Sequence, residues 1–159
     1  MSQGNVEIVR RWVEEELNTA PADLNMAPAE LKAYAARFYD PDADYYPVRK
    51  FPEARPCHGY DEIAQFLVGY LTAYSRFEYV MRDLIQVGDD RVLVCGSVHA
   101  EGRESGLALD GDPYYCAWLR HGRFFRREDH LTLRGALHAL GLDGETLEAA
   151  GLKAASLEE

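Results

Sequence analysis

Val6, Val9, Val13 and Leu17 recur at helical spacing at the start of the chain, with Ile8 and Trp12 widening the stripe and glutamates on the other side. That spacing predicts an amphipathic helix with Asn5 placed to cap it. After a polar loop, "APAELKAYAARFYDPDA" sets Pro28 in a first turn, Leu31, Tyr34 and Phe38 on one side, and Pro41 at the close of a second helix. "DADYYPV", Asp42 to Val48, then suits a short strand, and a loop follows through Pro52 and Pro56. A third helix is expected in "YDEIAQFLVGYLTAYS", where Ile63, Phe66, Leu67, Tyr70 and Leu71 share a face.

After Ser75 the period changes from helical to alternating. "RFEYVMRDLIQVGDD", "RVLVCGSVHAEGR", "PYYCAWLRHG" and "RFFRREDHLTL" are rich in aromatic and β-branched residues and are parted by Gly and Asp turns, which predicts a four-stranded antiparallel meander. Helices followed by a sheet give the α+β class. The tail, residues 135–159, holds "GALHALGL" and "ETLEAAGL", two short helices broken at Gly141 and Gly151. It is read either as a cap over the end of the sheet or as a partner-binding helix.

At 159 residues, with 47% hydrophobic and 28% charged, the chain suits one soluble globular domain spanning residues 1–159. No apolar run reaches membrane-spanning length and the start lacks the layout of a secretory signal, so the expectation is a cytoplasmic protein without a membrane partner. Cys57, Cys95 and Cys116 form no C-x-x-C pair, which disfavours a disulfide framework or a thiolate zinc site; neither a metal nor a cofactor is expected. The formal net charge of -10 repels phosphate backbones, so nucleic acid is not an expected partner. The local exception is "RHGRFFRR", whose Arg120, Arg123, Arg126 and Arg127 suit either an anionic ligand or a solvated hairpin tip.

Three stretches, "FYDPDADYYPV", "HGYDEIAQFL" and "RHGRFFRREDHL" followed by "ALHALGL", together with the element order, resemble the nuclear transport factor 2-like superfamily, and within it the SnoaL-like and ketosteroid isomerase-like group. The resemblance implies a cone-shaped curved, mixed and mostly antiparallel sheet wrapped around three N-terminal helices. It also implies an enclosed pocket and, commonly, a homodimer through the outer sheet face. Relatives include isomerases, polyketide cyclases, dehydratases, epoxide hydrolases and proteins without catalysis. Where the isomerases carry a catalytic aspartate before Pro-Val, this chain has Tyr46, and "PYYCAWL" lacks the carboxylate of their penultimate strand. Steroid isomerisation by that mechanism is therefore not expected.

The last hairpin supplies the local evidence for chemistry. His121-Gly122 suits a two-residue turn, and counting outward pairs Trp118 with Phe125, Cys116 with Arg127 and Tyr114 with Asp129. One face then carries Tyr114, Cys116, Trp118, Phe125, Arg127 and Asp129, and its aromatic content assigns it to the concave side. The other carries Tyr115, Ala117, Leu119, Phe124, Arg126, Glu128 and His130. On this count Asp129 is a candidate general acid or base, with Arg127 and Tyr114 orienting it or stabilising developing negative charge. The alternative is an Arg127–Asp129 pair that satisfies itself at the rim. The family's cyclases carry an acidic residue placed similarly to Asp129.

Trp118 and Phe125 would supply flat walls, and Tyr34 and Tyr46 further aromatic surface, along with Phe38 and Tyr70. His58 is a candidate acid or base near the pocket mouth or else a loop histidine bonded locally, while alternation turns His99 outward. The reading is a pocket for a small hydrophobic or aromatic ligand, with cofactor-free proton-transfer chemistry such as cyclisation, isomerisation or dehydration. The alternative is a non-catalytic ligand-binding or protein-interaction module of the same fold.

Overall fold

The computed structural model describes residues 2–18, 27–48 and 55–152. Helix α1 (Ser2–Trp12) runs into a π-helical turn (Val13–Leu17), and helix α2 (Pro28–Ala36) leads to strand β1 (Tyr39–Tyr46). Strand β2 (Cys57–His58) and helix α3 (Gly59–Thr72) precede strands β3 (Tyr74–Val87) and β4 (Arg91–Gly102). Then come β5 (Ala108–Gly111), β6 (Tyr114–Arg120), β7 (Arg123–His130) and helix α4 (Leu133–Ala139). The strands form one sheet in the order β2-β1-β7-β6-β4-β3, with β5 paired to β4; β1 and β7 run parallel and the other pairs antiparallel. The architecture is α+β, with a curved, mixed and mostly antiparallel sheet.

Several boundaries differ from the pattern-based expectation. Asn5 is inside α1 rather than capping it, because the helix begins at Ser2; its side-chain amide donates instead to the Asp89 carbonyl at 2.9 Å. Pro41 does not end α2 but lies inside β1, in the stretch between Tyr39 and Asp44 where pairing with β7 is interrupted by a bulge. A bulge leaves an amide position unpaired, which is where a strand tolerates proline. Two further strands add to those expected, β2 paired to β1 and β5 paired to β4 of the meander. The polar loop after α1 and the loop around Pro52 lie outside the described residues.

The apolar stripe of α1 and the π turn, Val9, Trp12, Val13 and Leu17, is buried with Ile63, Ala64 and Leu67 of α3 against the inner face of the sheet. The Trp12 ring meets Tyr115 and Phe124 edge-on at 5.5 and 5.4 Å. On the outer face Leu137 and Leu140 cover Ile85, Leu93 and Cys116. Thr132 caps α4 by accepting the Gly135 amide at 3.0 Å, and Gly141 ends it at φ 78°. The second tail stretch is a single turn closed by Gly151 rather than a helix, and Leu147 and Leu152 pack on the same outer cluster. The three cysteines are free and buried, and no helix among the described residues is long and apolar enough to cross a membrane.

Two local irregularities set which side chains reach the inside. At the β6–β7 turn both His121 and Gly122 have positive φ, 53° and 76°, the geometry of a two-residue primed turn. Leu119 pairs with Phe124 as counted, but Trp118 pairs with Arg126, so Phe125 is a bulge. Every later pair moves by one: Ala117 faces Arg127, Tyr115 faces Asp129 and Tyr114 faces His130. A corresponding bulge on β3 falls between Met81 and Asp83, opposite Gly96 and Cys95.

Gly96 is where that second bulge tolerates no side chain. A Cβ there would stand 2.4 Å from the Val80 carbonyl oxygen and 2.6 Å from the Tyr79 ring, and the first of these is backbone that cannot swing aside. Gly96→Ala is expected to destabilise the fold by ~1–3 kcal/mol, as overpacking does, read from the chemical denaturation midpoint. An unchanged midpoint would show that β3 yields without strain.

Candidate functional site

The site grows from the inner face of β7. Arg127 is 3% exposed, and its Nε and Nη2 donate to the two oxygens of Asp129 at 2.9 and 3.0 Å, a bidentate pair. Its Nη1 donates to Glu16 Oε2 at 3.2 Å and to the Tyr39 hydroxyl at 3.0 Å. Four of the five guanidinium N–H groups are thereby committed to protein partners. Tyr45 and Trp12 lie over its faces, with centroids 4.1 and 4.7 Å from Cζ.

Glu16 comes from the π turn and is fully buried. Its Oε2 accepts the Trp12 indole N–H at 2.5 Å and the Tyr39 hydroxyl at 3.0 Å, while Oε1 has no partner among the described residues. Asp129 accepts the Tyr45 hydroxyl at 2.6 Å on the oxygen that also receives Arg127 Nη2. Burial pushes both carboxyls above their ordinary range, against the pull of the Arg127 charge and of their hydrogen-bond donors. The same burial pushes the phenols of Tyr39, Tyr45 and Tyr115 well up. Arg127 stays protonated because the acids and phenols around it outweigh its own desolvation. One guanidinium thus faces two buried carboxyls, which leaves a single negative charge unmatched unless a proton or another cation supplies the balance.

Asp129 lines a cavity of about 200 Å³. Tyr45, Phe66, Tyr70, Tyr74 and Tyr115 build much of its wall, with Leu17, Leu67 and Val98 between them. Successive rings tilt around it: Tyr45 to Phe66 is 5.5 Å at 48°, Phe66 to Tyr70 5.9 Å at 42°, and Tyr70 to Tyr74 5.4 Å at 72°. Asp110 and Leu131, both exposed, mark the rim.

Of the residues singled out from the sequence, Arg127 and Asp129 meet here and Tyr70 lines the same cavity, while the others stand elsewhere. The Phe125 bulge places Tyr114 on the outer face opposite His130, so the phenol beside Asp129 on β6 is Tyr115. Trp118 and Tyr46 also face outward, where the Arg126 guanidinium lies 5.3 and 4.7 Å from their ring centroids. Phe125, as the bulged residue, receives the Arg120 guanidinium at 4.9 Å. Tyr34 is buried under Arg37 at 4.4 Å, outside the cavity lining. His58 is exposed and pairs with Asp44 at 2.7 Å, which raises its pKa; the pair lies on the side of β1 away from Tyr45. Among the described residues no three His, Cys, Asp or Glu side chains gather to hold a metal ion.

No family model matches the sequence, and no curated protein does. Solved structures do match in fold. A protein of Jannaschia sp. CCS1, named for its likeness to SnoaL-like polyketide cyclases, superposes with TM-score 0.64 at 16% identity, over 87% of this chain and 92% of that one. A ketosteroid isomerase-like protein of Catenulispora acidiphila DSM 44928, in complex with trimethylamine, gives 0.61 at 14% identity, over 85% and 92%. The chain has the nuclear transport factor 2-like fold. TerC, co-crystallised with polyporic acid, matches at 0.59 and 21% identity, over 86% and 97%.

Within this nuclear transport factor 2-like fold the inward residue at the end of β1 is Tyr45, and Tyr46, next to Pro47, points away. Glu16 carries a signal in the sequence itself. It falls at the spacing of Val9, Trp12, Val13 and Leu17, so a carboxyl occupies the buried stripe itself.

The raised carboxyls make a linkage prediction. A carboxyl held above its unfolded value binds its proton more tightly when folded, so its contribution to stability is lost as pH rises from the unfolded pKa to the folded one. Gln at position 16 has no such proton. The stability of Glu16→Gln relative to the parent should therefore improve as pH rises above the ordinary glutamate value of 4.5. The slope should be no steeper than roughly 1.4 kcal/mol per pH unit, measured by urea unfolding across pH. A pH-independent difference would place the folded Glu16 at its ordinary value.

Proposed function

We propose that the cavity receives a compact, largely apolar small molecule and that Asp129 moves a proton on it without a cofactor. The observation that carries this is a buried carboxyl in a cavity whose wall is mostly aromatic and aliphatic, held in a fixed orientation by Arg127. Of the four acceptor positions of an ionised carboxylate, Arg127 occupies two and Tyr45 a third, which leaves one for a substrate proton. Burial gives the carboxyl the basicity that a general base needs, and its protonated form a use as the acid. Cyclisation, isomerisation and dehydration all turn on such a transfer. Arg127 has four of its five donors engaged, so a developing negative charge would fall mainly to the phenols of the wall.

The two neighbours solved with small molecules, one with trimethylamine and one with polyporic acid, support a small-molecule reading of the fold. One observation favours the rival, a non-catalytic binding or protein-interaction module: the Arg127–Asp129–Tyr45 cluster already satisfies itself. The homodimer expected through the outer sheet face is kept as part of the proposal. α4 and the tail cover part of that face, so its available surface lies toward exposed Val80.

Replacing Asp129 with Asn keeps the shape and removes the proton acceptor. With a substrate found by screening, Asp129→Asn should lower kcat by at least about a hundredfold while leaving the ligand Kd within a few fold. Full turnover in that variant would leave Asp129 as a structural partner of Arg127 and the cavity as a binding site.

A further inference from the structure

The charges around the cavity narrow its ligand. Its lining carries two acids, Asp129 and, at the exposed rim, Asp110, which pairs with His99 at 2.9 Å, against one base, Arg127. Arg127 is also the guanidinium that answers Glu16, so its single positive charge is divided between two buried carboxyls. An anion entering here would meet that surplus with no free guanidinium to receive it. The rings of Tyr45 and Tyr115 stand over the Arg127 faces, with centroids 4.1 and 5.1 Å from Cζ, and line the cavity as well.

The wall itself suits positive charge. Tyr45, Phe66, Tyr70 and Tyr74 follow one another at centroid spacings between 5.4 and 5.9 Å, tilted so that they turn around the space rather than stack. Aromatic faces attract ammonium groups through the ring quadrupole, and most strongly where water is excluded. The net charge of -10 adds long-range attraction for cations.

We propose that the cavity is a site for a compact organic cation, an alkyl- or arylammonium group, held by the tyrosine and phenylalanine wall and balanced by the charge that Arg127 leaves unmatched on Glu16 and Asp129. This rests on the small-molecule reading of the same cavity. It adds a sign to the ligand and gives Glu16, which lies behind Arg127, a positioning role in selecting that sign.

Three probes of one shape test it on the full chain by calorimetry: choline, its uncharged isostere 3,3-dimethyl-1-butanol, and the anion 3,3-dimethylbutanoate. Choline should bind at least about tenfold more tightly than the alcohol, and the anion more weakly than either. Glu16→Gln, folded by circular dichroism, should lower the choline-to-alcohol affinity ratio by about tenfold. If that variant does not fold, Tyr70→Leu, which keeps apolar bulk and removes a ring, should lower the same ratio. An alcohol that binds as well as choline overturns the cation proposal and leaves the small-molecule reading standing. The proposal is equally overturned if none of the three binds at millimolar concentration; the broader reading falls with it only if a screen of neutral aromatic compounds is also blank.

Discussion

The inner half of this protein is organised around one guanidinium that must satisfy two carboxyls. Arg127 bridges Glu16 of the π turn and Asp129 of its own strand, so α1, β1 and β7 are tied at one buried point through Tyr39 and Tyr45. Removing a charge from water without a partner is costly, and each of these three groups lacks enough alternative partners to stand alone. Such a set contributes little net stability compared with apolar residues of the same volume. Its geometric effect is on the cavity, where Arg127 fixes the orientation of Asp129 in the wall.

Two departures from regular structure make the meeting possible. The Phe125 bulge rotates the rest of β7 so that Phe124 and Arg127, which strict alternation would send to opposite faces, are both buried. The π turn bonds the Asn18 amide back to Val13 at 3.2 Å and closes the helix where Glu16 must aim at β7. Both irregularities insert a residue into a periodic element, and both sit beside the site.

The element types and the α+β class were legible because long stripes such as Val9, Trp12, Val13 and Leu17 have few other ways to be buried. The burial of Arg127 and Asp129 was legible for a weaker reason: the count happened to put them on the face that the bulge later restored. What the count could not supply was the bulge. "RFFRREDH" offers two adjacent phenylalanines, and the choice of Phe124 for the core depends on Trp12 and Tyr39 meeting its ring at 5.4 Å from other elements. Tyr114, Trp118 and Phe125 were misplaced together for that reason. Tyr45 and Tyr46 posed the same choice, settled by parallel pairing of β1 with β7, which a meander read from hairpins alone does not contain.

The arginine-rich hairpin shows how far local charge can mislead about a ligand. Arg120 lies over Phe125 and Arg123 donates to the Ala36 carbonyl at 2.8 Å. Arg126 is held by Glu128 at 2.7 Å with the Tyr46 and Trp118 rings beside it, on the outer face. Turn and bulge thus distribute four like charges over separate partners, and only Arg127 reaches the interior. There it meets more negative charge than it can neutralise. A segment that looks like an anion trap in sequence is, once folded, the source of a cavity whose electrostatics favour a proton or a cation.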